Sequence, residues 1–131
     1  AERACDTAEL VSGGMPYTRC KALKEIYLGT KEATPNRENP AYPYGDYFVA
    51  FGGEGLDAFT RRIWNAVQTI AEQETGSSIL IVSHGMAIRR FLTTLGALSE
   101  ATDRFLGNCG IVQLAYAEGR FTVTRIIDPN E

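Results

Sequence analysis

Histidine is nearly missing from this chain: His84 is the single one among 131 residues. A histidine-built zinc centre needs several imidazoles and is excluded. The three cysteines, Cys5, Cys20 and Cys109, are far apart and form no Cys-x-x-Cys pair. A zinc knuckle or thioredoxin-like redox site is therefore not expected, and the thiols read as small, buried and reduced. Positive charge is also scarce, with 13 Lys and Arg against 16 Asp and Glu giving a net charge of −3. That balance argues against a general nucleic-acid surface, although arginines can still gather in one local anion pocket. No uncharged apolar run approaches a membrane span, and the first residues do not read as a secretory signal. The expectation is a soluble, cytoplasmic protein without a membrane partner. The phosphate-binding P-loop, the Gly-x-Gly-x-x-Gly fingerprint and the Gly-x-Ser-x-Gly elbow of α/β-hydrolases are all absent.

What remains is an ordinary globular composition, 44% apolar and 22% charged, which fits a soluble domain. The length suits one domain over residues 1–131. The pattern opens on "ERACDTAELVSGG", a helix with Ala4, Ala8, Leu10 and Val11 on one side, stopped by Gly13-Gly14. Nothing before it supplies a strand or a clear cap, so the chain reads as starting in the middle of a domain. "MPYTRCKAL" looks extended. Residues 30–53 are irregular, rich in proline and aromatics, and are expected to form a lid-like region. Its tyrosines, with Lys31 and Arg37, are candidates for setting substrate choice, while its aromatics could equally anchor it to the body. "GLDAFTRRIWNAVQTIAEQ" is an amphipathic helix burying Phe59, Ile63, Val67 and Ile70 with Ala66. "ILIV" then reads as a short strand covered on both faces. "GMAIRRFLTTLGAL" is a helix with Met86, Phe91, Leu92 and Leu95 inward. "CGIVQLAYAEGRFTVTRIID" closes the chain as two strands around Glu118-Gly119. This order predicts an α/β fold, a mostly parallel sheet between helices.

In such sheets, ligands bind beyond the carboxyl ends of the strands, near helix N-termini. His84 stands at that place. The first amides and the dipole of the following helix favour an anion, and Gly85 lets the backbone approach one closely. An imidazole there can donate to a phosphoryl oxygen and offset developing negative charge. From position alone, a histidine that merely satisfies its own hydrogen bonds at a strand end remains open.

Taken together, the motifs resemble the histidine phosphatase superfamily, in its phosphoglycerate mutase-like branch. "ILIVSHGMAIRRFL" looks like that family's second histidine motif, and "AERACDTAEL" is similar to its Arg-Ala-x-x-Thr-Ala helix. "LKEIYLGT" resembles its Leu-x-Glu-x-x-x-Gly segment. "FGGEGLDAF" resembles its Gly-Glu-Ser segment, with Gly55 where serine is usual. The resemblance implies a three-layer sandwich with a mostly parallel sheet flanked by helices. It implies Arg3 as a phosphate-binding arginine, His84 as a charge-stabilising histidine and Glu25 as the general acid. Gly85, Met86 and Tyr27, which lie within these motifs, are the substrate-binding candidates. The implied chemistry is a metal-independent phosphomonoester hydrolase, with a mutase-like phosphotransferase as the variant. It acts on a small phosphorylated metabolite, without cofactor or metal and with a homodimer as an open option.

The family's Arg-His-Gly segment, which carries the nucleophilic histidine and the first strand, is not among these residues. The expectation is accordingly a domain missing its N-terminal strand, whose phosphohistidine lies outside this chain and which is inactive as it stands. The alternative is a non-catalytic module that binds a phosphate ligand with half of the pocket.

Overall fold

The computed structural model describes residues 1–35, 38–74, 78–98 and 106–130. Among them, helices α1 (Glu2–Val11), α2 (Leu56–Gln73) and α3 (Gly85–Thr94) precede strands β1 (Ile111–Ala117) and β2 (Arg120–Ile127). The fold is mixed α/β. The ladder found among the described residues is a two-stranded antiparallel sheet, β1 against β2. No parallel ladder is found among the described residues.

The core follows from helical periodicity. Leu56, Phe59, Ile63 and Val67 recur at three- and four-residue intervals and are buried along one side of α2. Met86, Ala87 and Phe91 of α3 join them, together with Ile26 from the preceding loop. Ile70, expected inside, is only half-buried near the end of α2. The hairpin docks through aromatics. Trp64 of α2 stacks on Phe91 of α3 with centroids 5.1 Å apart. Phe121 of β2 meets both edge-on, at 5.7 Å and 5.2 Å. Alternation along β1 turns Val112, Leu114 and Tyr116 to this side. Glu118 and Gly119 take φ values of 53° and 75°, which suits the two-residue turn whose twist matches the strands it joins.

Residues 30–53 hold short 3₁₀ turns, at Gly29–Lys31 and Tyr47–Phe51, rather than longer helices. Tyr42, Tyr44, Phe48 and Tyr47 form a run of edge-to-face contacts that ends with Phe48 fully buried. Of these, Tyr42 and Tyr44 also pack against the core cluster. Lys31 lies 4.6 Å from the Phe51 ring centre; Arg37 falls outside the described residues.

Three expectations change. The apolar stretch Ile79–Val82 has no ladder partner among the described residues, and Ile79 and Leu80 are 40% and 62% exposed. A run of this kind is buried only where elements cover both its faces, and among the described residues it is covered in part, with Ile81 packed against the core and Val82 half-buried. In α1 no residue is buried, and Leu10 is 83% exposed. The thiols are not interior: Cys20 and Cys109 are exposed and Cys5 is half-buried, all three free. Cys109 sits in a turn with φ of 63°, a place the core does not reach. No described helix is long and apolar enough to cross a membrane.

Candidate active site

His84 is the N-cap of α3, with extended dihedrals (φ −127°, ψ 161°), and its carbonyl accepts the first helical bond from the Ile88 amide at 3.0 Å. Its side chain makes no capping bond. It is 8% exposed and turns instead toward α1, where the Arg3 guanidinium lies 3.3 Å from Nδ1. An arginine can only donate, so Nδ1 accepts and the proton of the neutral ring sits on Nε2. Burial, then the Arg3 charge, lowers the His84 pKa below the usual 6.5. The ring is therefore a neutral donor through Nε2 near neutral pH. A bound anion would oppose both effects and favour the charged ring expected from sequence.

Glu25 reaches the same helix end from a separate segment. Its Oε2 accepts the Met86 amide at 3.0 Å, and its Oε1 accepts the Ile26 amide at 3.3 Å. Burial raises its pKa above 4.5; the amides of Met86, Ile26 and Ala87 and the Arg3 charge pull the other way without cancelling it. A carboxyl held so keeps its proton to higher pH than a surface glutamate does, as suits a general acid. The sequence places an external anion on the first amides of α3; the structure gives the Met86 amide to Glu25. An external anion is left the Arg3–His84 side. Ser83 fastens the two segments, its Oγ donating to the Leu23 carbonyl at 2.8 Å.

A cavity of about 230 Å³ opens beside these groups, lined by Glu25, Ile26, Leu28, Asn39, Tyr44, Phe48, Gly85 and Met86. Its walls are mostly apolar, with the carboxyl at one side and the Asn39 amide on the lid segment. Gly85 and Met86 are in the cavity wall. Tyr27 is not: its ring is 55% exposed and its backbone, not its hydroxyl, engages the fold.

Several functional-looking residues were not singled out by sequence. Arg90 of α3, 6% exposed, donates from Nε to Thr60 Oγ1 and from Nη1 to the Tyr42 hydroxyl, both at 2.8 Å, so it ties the segment around Tyr42 to α2 and α3. Arg89 lies 3.5 Å from the Tyr42 ring centre. Both stand in a pattern that otherwise predicts an inward face, and only their burial separates them from solvated charges. Asn39 carried no signal at all.

An arginine, a histidine and a carboxyl of raised pKa gathered around one helix start, on a mixed α/β frame, are groups suited to phosphoryl transfer. Residues 1–129 match the histidine phosphatase superfamily (branch 1), and the chain belongs to that family. Among curated proteins it is similar to "Probable phosphoglycerate mutase GpmB" of Yersinia pestis (strain Pestoides F) and of Yersinia pseudotuberculosis (serotype O:1b, strain IP 31758). It is 37% identical to each over 68 residues, which is 50% of this chain and 32% of theirs. The stretch it matches thus spans about a third of their length. Among solved structures it resembles Bacillus stearothermophilus YhfR, with a TM-score of 0.77, at 25% identity, over 95% of this chain and 68% of that one.

Proposed function

We propose that the protein carrying this chain is a metal-independent phosphomonoesterase that works through a phosphohistidine, with the nucleophilic histidine outside these residues. The observation that carries the reading is the meeting of Arg3, His84 and Glu25, from three separate segments, around the start of α3. The phosphoryl group sits against Arg3 and the Nε2 face of His84. There the guanidinium fork can donate to two oxygens at once. As charge builds on the transferring group, the imidazole donates and then gains from protonation. Glu25 gives its proton to the departing alkoxide and, once ionised, accepts one from the water that attacks the phosphohistidine. The substrate is a small phosphorylated metabolite whose organic part lies along Ile26, Tyr44 and Phe48. Hydrolysis is favoured over mutase chemistry because, among the described residues, the cavity lining carries no lysine or arginine to hold a second phosphate.

The fuller architecture belongs to the same proposal: a three-layer sandwich in which a further strand covers Ile79 and Leu80, now 40% and 62% exposed. Amide exchange over Ile79–Val82 in the full-length protein tests it, and fast exchange there rejects the strand. For the activity, the full-length protein is assayed on p-nitrophenyl phosphate with a chelator present. Turnover that His84→Ala reduces at least a hundredfold is expected, in line with the loss of an oxyanion donor. Binding of inorganic phosphate without turnover would replace the enzyme with a phosphate-binding module.

A further inference from the structure

Glu25 lies in a segment, residues 22–27, that is outside the hairpin ladder and contains only the short 3₁₀ turn Lys21–Leu23. Besides the Ser83 bond to the Leu23 carbonyl, one ion pair holds its backbone. Arg62, on α2, grips both oxygens of Glu54: Nε to Oε2 at 3.0 Å and Nη2 to Oε1 at 2.6 Å. The rest of the guanidinium is turned on the Glu25 segment. Nη1 donates to the carbonyls of Ala22 at 2.7 Å and Lys24 at 3.0 Å, and Nη2 reaches the Glu25 carbonyl at 3.4 Å. Glu54 closes the other side, its Oε1 accepting the Tyr27 amide at 3.0 Å and its own amide donating to the Tyr27 carbonyl at 2.7 Å. Backbone groups of residues 22, 24, 25 and 27 are thus all bound by two side chains and one amide. Neither Glu54 nor Arg62 lines the cavity.

We infer that Glu54 and Arg62 are positioning residues for Glu25: the pair clamps the backbone on both sides of the acid and so fixes where its carboxyl meets the start of α3. The inference rests on the reading of Glu25 as the proton donor. Only arginine can do this, because the clamp needs a planar fork with donors in several directions, whereas lysine offers one nitrogen. A small displacement of a catalytic group can lower a rate greatly even when the displaced contact is remote from the chemistry.

The test uses the full-length protein and compares kcat/KM for two phosphomonoesters. Glycerol 2-phosphate expels an alkoxide that needs a proton; p-nitrophenyl phosphate expels a stable phenolate that hardly does. Arg62→Lys is expected to lower kcat/KM for glycerol 2-phosphate about tenfold more than for p-nitrophenyl phosphate, as a misplaced acid would. Glu54→Gln, which keeps the shape but puts a donor toward Arg62, gives the same selective loss and serves if Arg62→Lys does not fold. A general loosening of the fold lowers both substrates alike, and that result, or no change in either, overturns the inference. Glu25→Gln is measured beside them. If it shows the selective loss while the other two do not, the clamp is rejected and the acid stands. If Glu25→Gln is itself unselective, the assignment of the acid fails, and the clamp with it.

Discussion

Replacing Gly85 by alanine should separate folding from ligand binding. Gly85 is the first residue of α3, is exposed, and a Cβ built on it meets nothing within 4 Å. No backbone strain is involved, since its φ is outside the left-handed region. Alanine has the better helix propensity, by about 0.5–1 kcal/mol in a helix interior and less in the first turn. Stability should stay level or rise by up to about 0.5 kcal/mol. The new methyl, however, projects from a residue that lines the cavity together with Glu25 and directly follows His84 in the chain. Losing one charge-assisted hydrogen bond to a displaced anion amounts to about 1.5–3 kcal/mol. At 1.4 kcal/mol per decade, inorganic phosphate should bind the variant about tenfold to a hundredfold more weakly. The measurement is the inhibition constant of phosphate alongside a denaturant midpoint, both on the full-length protein. Unchanged phosphate affinity refutes the placement of the anion. Weaker binding together with a lower midpoint refutes it also, because the effect is then one of folding.

Gly53→Ala should behave in the opposite way, since its Cβ would lie 2.5 Å from the Tyr27 oxygen and 2.8 Å from the Leu28 carbonyl carbon, both backbone. Overpacking of this kind destabilises by about 1–3 kcal/mol, read by urea denaturation, and wild-type stability would show that the two segments do not approach so closely. Arg90→Met removes the donors to Thr60 Oγ1, which still donates to the Leu56 carbonyl, and to the Tyr42 hydroxyl. A loss of about 1–3 kcal/mol is expected in thermal unfolding, with faster proteolysis within residues 38–50; unchanged proteolysis would separate Arg90 from that segment. Glu25 supplies a pH test. Its folded pKa is raised above 4.5, so the folded state holds the proton more tightly; the stability it contributes is complete below about 4.5 and declines as pH rises through the folded value. Glu25→Gln should therefore gain on wild type between pH 4.5 and neutrality in urea midpoints, and parallel curves for the two proteins would contradict the burial argument.

The sequence by itself determined the periodic elements. Phe59, Ile63 and Val67 placed α2, and the alternation around Glu118-Gly119 placed the hairpin, because each rests on local chain geometry and a single buried face. It also placed His84 at a helix start and, through motif order, paired it with Arg3 and Glu25. It overestimated burial wherever an apolar run needed a distant cover, as at Ile79 and Leu80. Tertiary structure alone decided the electrostatics. The Arg3 guanidinium on Nδ1 sets the tautomer of His84, and the Met86 amide goes to Glu25 rather than to an outside anion. It alone joined Arg62 to carbonyls 37 to 40 residues away. Hydrogen bonds of that kind depend on where separate segments meet in space, and local periodicity carries no record of it.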